Sequence, residues 1–359
     1  MFFGQTPTEA ILYIILYVGA SLVSLIASIY LYFRKSNVFS ADITPPLALR
    51  RWAAAFFAVV LLSHVWWFFF YIFSGDFKSP SCMVYAIIDS VLLLITIPGM
   101  LFAMLQDRKR RVWPFTLGAI PFSILGIMHI INPSEEYIDM AIGYIMLFYV
   151  GFSLYMEYAV KQYGRWLRDN FADLENKEVW LGHAVIIILF ILVLADGFDT
   201  GDKILSCILQ GIEIIFFGLL LWRVETLPQL EESSAQEREK QPLTLPSNIE
   251  QMLEEHCVNA ELYLQHDLTL GQLSQAVGIN RFYLSQYFSR KGTTYNGYIS
   301  DLRIKYFINL YRKATNEGLP MTAQQLASDS GFRSYSTFSL AFKQRMGETV
   351  SVWMRVNAK

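Results

Sequence analysis

Residues 268–292 read LTLGQLSQAVGINRFYLSQYFSRKG, and residues 326–347 read LASDSGFRSYSTFSLAFKQRMG. Both stretches follow one spacing. Leu273 is followed by Gly278, Leu284 and Phe288, and Leu326 by Gly331, Phe338 and Phe342, with one more residue in the second turn. A short helix that buries a Leu, turns at a residue tolerant of positive φ and enters a second helix produces this pattern. The second helix then buries apolar residues at i and i+4 and turns its opposite face outward. Asn280 and Ser334 stand where caps for the two second helices belong. The repeat predicts two helix-turn-helix units, at about 268–290 and 322–345.

Outward from the repeat, Tyr298–Lys313 reads as the helix joining the units. Ile299, Leu302, Tyr306 and Leu310 form its apolar stripe, and Gly318 and Pro320 stop it. Upstream, 248–266 reads as an amphipathic first helix, with Ile249, Leu253, Cys257 and Ala260 at helical spacing behind Asn248 as a cap. Charge then suggests a partner. Residues 268–359 hold twelve Lys and Arg against four acids, near +8 within a chain of net −2. Such an excess suits a polyphosphate, because neutralised phosphates release counterions.

The two quoted stretches, together with YISDLRI (298–304), resemble the DNA-binding domain of the AraC/XylS family of bacterial transcription regulators. Gly331-Phe332 and the run Phe338, Phe342-Lys343, Gly347 carry the strongest likeness. Two departures stand out: Val350 occupies a position where the family usually has Pro, and Phe307 one where it usually has Ala. The likeness implies a DNA-binding domain over 248–359 with double-stranded promoter DNA as partner. It also implies base reading from Phe282, Ser285, Gln286, Ser336, Ser339 and Leu340. The face opposite each buried stripe agrees, and adds Tyr335 to the second helix. Gln286 can bond bidentately to adenine, whereas Phe282 and Leu340 could only touch a thymine methyl. For Phe282 and Tyr335, packing against a neighbouring helix is an equal alternative. Arg281, Arg290, Lys343 and Arg345 read as phosphate contacts, which position without specifying.

The remainder is of another kind. The chain is 54 % hydrophobic, too apolar for one water-soluble domain of 359 residues. Seven runs before Val224 have about the length needed to cross a bilayer: 11–33, 52–73, 83–105, 112–131, 138–158, 179–194 and 204–224. The first lacks a basic lead and is too long for a cleavable signal peptide. Loops one, three and five hold Arg34, Lys35, Arg50, Arg51, Arg108, Lys109, Arg110, Arg111, Lys161, Arg165, Arg168 and Lys177, against only Lys78 and Lys203 in the others. The positive-inside rule therefore places the N-terminus outside and the C-terminus in the cytoplasm, where DNA is. Residues 225–247, polar and broken by Pro228, Pro242 and Pro246, read as a linker. The expected architecture is all-α: a seven-transmembrane-helix bundle over 1–224, the linker, and a cytoplasmic double helix-turn-helix domain over 248–359. The expected location is the inner membrane of a bacterium.

Within the spans, His64, Asp89 and Glu213 are costly in lipid and mark a sensor site; hydrogen bonding between helices without a signal is the plainer alternative. His64 and Glu213 fall near the midplane and Asp89 in the outer third. Cys82, Cys207 and Cys257 have no metal spacing, and both a Cys82–Cys207 bridge and buried thiols stay open. No nucleophile elbow, phosphate loop or metal cluster appears, so neither catalysis nor a cofactor is expected. Two functions fit: a membrane-bound regulator that senses a signal ligand or membrane partner, with RNA polymerase as a further partner, or a transporter or ligand-binding membrane protein with a docking module. The paired units and their charge favour the first.

Overall fold

The computed structural model describes residues 7–34, 37, 44–73, 80–174, 203–230, 248–318 and 321–357. Long apolar runs become long helices: α1 (Pro7–Phe33), α2 (Leu47–Phe73), α3 (Pro80–Met104), α4 (Trp113–Leu117), α5 (Ala119–Ile131), α6 (Glu135–Asn170) and α7 (Lys203–Thr226). Among the described residues, six helical segments are long and apolar enough to cross a membrane, with α4 and α5 counted as one across Gly118. The expected span 179–194 lies outside the described residues, as does the linker from 231 to 247. The first six linker residues do not behave as linker. α7 runs on to Thr226, and Glu225, Leu227 and Leu230 are buried.

The chain divides into two compact units, and the division falls inside α6, between Lys161 and Gln162. In the first unit α1 packs on α2 and α7, α2 on α3, and α3 on α5. Glycines permit close approach between these helices. A Cβ on Gly99 would enter the Trp52 ring, one on Gly118 the Phe148 ring and one on Gly126 the Ile87 side chain. Arg50 on α2 and Glu225 on α7 form a buried ion pair at 3.4 Å. The Tyr30 hydroxyl donates to the same carboxylate at 2.8 Å, and the Asn37 amide to the Glu225 carbonyl at 2.6 Å.

In the second unit the described residues 162–174 pack with 248–357. Its helices are α8 (Ile249–Leu253), α9 (Leu270–Val277), α10 (Arg281–Arg290), α11 (Tyr295–Asn316), α12 (Ala323–Asp329), α13 (Tyr335–Met346) and α14 (Val350–Val356). Two cores form, and α11 serves both. Leu273, Leu284, Phe288 and Ile299 belong to one, with Ile249, Leu253 and Cys257. Phe307, Leu326, Phe338, Phe342 and Trp353 belong to the other. Both departures from the family pattern are accommodated. Phe307 is fully buried, 4.5 Å from the Phe338 ring centroid and also beside Phe342 and Trp353. Val350 is the first residue of α14, a position where Pro is favoured but not required.

Several local expectations need correction. The helix expected over 248–266 is only five residues of α8, followed by a wider turn at Glu254–Val258 and a tight one at Leu262–Leu264. Asn248 precedes α8 without a side-chain cap bond. α11 begins at Tyr295 because Thr294 caps it by accepting from the Gly297 amide. Its buried face is Ile299, Arg303, Phe307 and Tyr311, whereas Leu302, Tyr306 and Leu310 are only partly buried. An arginine that bonds carbonyls breaks the apolar pattern on which the stripe was read.

Candidate nucleic-acid interface and the membrane polar cluster

Each helix-turn-helix is built from its caps. Thr269 and Gln272 form a capping box at the start of α9, and Gly278 ends that helix at φ +71°. Asn280 then accepts from the Phe282 amide at 2.8 Å and starts α10. In the second unit Thr322 caps α12, Gly331 turns at φ +87°, and Ser334 caps α13. Leu284 and Phe288, like Phe338 and Phe342, face inward, which orients the opposite faces of α10 and α13 outward.

The two outward faces differ. On α13, Tyr335, Ser336 and Leu340 are exposed, Leu340 at 61 %, and Ser339 is half-buried. Among the expected base readers on α10, only Phe282, at 45 %, is exposed, whereas Ser285 and Gln286 are half-buried, as is Arg281. The rings of Phe282 and Tyr335 contact their own helices' Tyr283 and Phe338, so both stay largely on the surface. Ser285 and Gln286 line an open cavity of about 570 Å³ together with Asp169 from the last turn of α6.

The cations also sort themselves. Arg290 and Lys343 are exposed. Arg345 pairs with Asp301 at 3.2 Å and half of its side chain stays in solvent. Arg281 donates to the Asn170 side-chain carbonyl. Arg303, counted among the basic residues, is withdrawn from the surface at 1 % exposure. It donates to the carbonyls of Tyr263 at 2.7 Å and Gln265 at 2.6 Å, and lies over the Phe332 ring. Burial lowers its guanidinium to about 10, so it remains charged at neutral pH. Sequence reading missed Asn170, Asn296 and Arg303 as structural partners. Arg303 interrupting an apolar stripe was the one visible signal.

In the first unit, His64 Nε2 lies 3.6 Å from Glu213 Oε2, so α2 and α7 bring the two residues together. His64 Nδ1 is 2.9 Å from the Val60 carbonyl, and the Tyr17 hydroxyl donates to the His64 carbonyl at 2.6 Å. Asp89 is separately held: Ser63 and the Trp67 indole both donate to its Oδ2, at 3.0 and 3.3 Å. None of the three cysteines is in a disulfide. Among the described residues no group of His, Cys, Asp and Glu could hold a metal ion.

Two capped turns, two outward helices and a shared central helix define a double helix-turn-helix domain. Residues 273–355 match the family model described as a helix-turn-helix domain, and the C-terminal domain is of the AraC type. No curated protein and no solved structure matches the chain.

Proposed function

We propose that the chain is a membrane-anchored one-component transcription regulator, with a seven-helix sensor in the bacterial inner membrane and a cytoplasmic domain that binds promoter DNA. The observation that carries this reading is the helix-turn-helix pair whose second outward face is open to solvent. Recognition helices enter the major groove by their N-terminal residues. On this reading Phe282, Ser285, Gln286, Tyr335, Ser336, Ser339 and Leu340 meet bases, and Arg281, Arg290, Lys343 and Arg345 meet phosphates. The protein acts by binding, and RNA polymerase is the natural recipient of its output.

Crosslinking in living cells should find the intact protein at discrete genomic sites, which tests both DNA binding and a cytoplasmic C-terminus. Four phosphate contacts give a salt slope that weakens binding roughly a hundredfold between about 50 and 200 mM salt. A purified, folded protein whose DNA affinity ignores salt would sink the reading.

The sensor reading centres on His64 and Glu213, with Asp89 nearby in the bundle. A charge at mid-bilayer costs at least ~2.5 kcal/mol without a partner, and here each residue supplies the other's. His64→Leu or Glu213→Gln should therefore shift basal promoter output or the response to the signal by several-fold. The double variant should be no worse than either single one, since one change already strands the other residue. Normal regulation by both single variants at equal protein abundance would leave these residues with a purely structural role.

A further inference from the structure

Immediately after α6 the chain lies across the first helix-turn-helix. Ala172 donates its amide to the Leu268 carbonyl at 3.1 Å, and Phe171 pairs with Thr269 in antiparallel fashion. The Asn296 side chain, at the start of α11, donates to the Phe171 and Ala172 carbonyls at 3.3 and 2.7 Å. Ala172, at 2 % exposure, joins the first core. Asn170 donates to the Trp166 carbonyl at 2.6 Å, which turns its own side-chain carbonyl toward Arg281. Residues 169–173 thus form a strap over the N-terminal end of α10.

That end of a recognition helix is the part that enters the groove. The strap occupies it in two ways. Arg281 donates from one guanidinium nitrogen to Asn170, which leaves fewer of its N–H groups for a phosphate. Asp169 lines the same cavity as Ser285 and Gln286, so a carboxylate stands where phosphates and base edges would approach. The second unit shows the contrast, because Tyr335, Ser336 and Leu340 of α13 are exposed and only Ser339 is half-buried. The fastening is largely polar: hydrogen bonds through Asn170, Ala172 and Asn296, the Ala172 methyl, and the buried Asp173, which acts electrostatically on Arg303. Each such bond contributes little net stability, because water replaces it on opening.

Resting on the DNA-binding reading above, we propose that residues 169–173 are an autoinhibitory strap that blocks the first recognition helix until it lifts away. The strap is the direct continuation of α6, whose residues 138–158 are read as a span, so a change in that helix acts on α10 through a single chain segment. With the strap down, the second unit binds alone and weakly; with it up, both units engage.

A crosslink tests this in the full-length protein in lipid nanodiscs. Paired antiparallel residues have Cα atoms about 4.5–5.5 Å apart, within disulfide reach, so Phe171→Cys with Thr269→Cys locks the strap down on oxidation. The probe is a fluorescent mixed-sequence duplex of about 30 base pairs, three helical turns. The oxidised protein should bind it roughly tenfold more weakly than the same protein reduced, and reductant should restore binding. Wild type carried through the same oxidation should not change. Asn170→Ala, which leaves the backbone bonds in place, should bind several-fold more tightly than wild type. Equal affinity of locked and reduced forms, with the crosslink verified by peptide mass, would overturn the strap while leaving DNA binding intact. Asn170→Ala that loses stability without gaining affinity would assign the strap a bracing role and overturn it as well. If neither redox form nor wild type binds the duplex, the DNA-binding reading and the strap fall together.

Discussion

Replacing Arg303 by Met should destabilise the C-terminal unit by about 1–3 kcal/mol. Met keeps the apolar stem of the side chain and removes only the guanidinium. The buried Tyr263 carbonyl then loses its donor at 2.7 Å, whereas the Gln265 carbonyl keeps the Leu268 amide at 3.3 Å. A stranded buried acceptor costs about 1–3 kcal/mol, because water cannot reach it to replace the bond. Arg303→Lys should cost roughly half as much, since a point charge on a flexible stem serves one carbonyl well but not two in a fork. Pulse proteolysis in urea, following a C-terminal tag on the full-length protein, measures both. A midpoint unchanged by Arg303→Met would mean that the Tyr263 carbonyl finds another donor.

The two turn glycines should respond unequally to the same substitution. Gly331→Ala is expected to cost about 3 kcal/mol and Gly278→Ala about 1 kcal/mol. Both residues have positive φ, at +87° and +71°, and a side chain there carries about 1–2 kcal/mol of strain. At Gly278 a Cβ meets nothing within 4 Å, so strain is the whole cost. At Gly331 it would stand 2.8 Å from both the Cα and the carbonyl oxygen of Leu264. Backbone cannot rotate away as a flexible side chain would, so overpacking adds about 1–3 kcal/mol. The same urea assay reads the difference. Equal losses for the two variants would show that Leu264 yields without cost. The loss at Gly331 also separates the halves, because this contact joins the second turn to the segment before α9.

Much of the architecture was legible because its signals are local. An apolar run of some twenty residues specifies a span whatever its neighbours do, since the backbone satisfies itself within a helix. Leu273, Gly278, Leu284 and Phe288 specify a helix-turn-helix because their spacing fits one helical period and one positive φ. Asn280 and Ser334 could be recognised as caps because a cap bonds to amides two or three residues away. His64, Asp89 and Glu213 could be picked out as ionisable residues because each interrupts an apolar run, which is again a local signal.

Tertiary structure decided everything that depends on which helices meet. His64 and Glu213 were two residues at one depth until α2 and α7 brought them to 3.6 Å. Arg303 counted as a surface cation until the carbonyls of Tyr263 and Gln265 converged on it from a turn some forty positions earlier. Gly278 and Gly331 were equivalent by spacing, and only the approach of Leu264 to one of them makes them differ. Asn170 carried no signal at all, because its partner Arg281 is more than a hundred residues away. Helical periodicity reports neighbours within about four positions, and packing between distant segments leaves no imprint on that period.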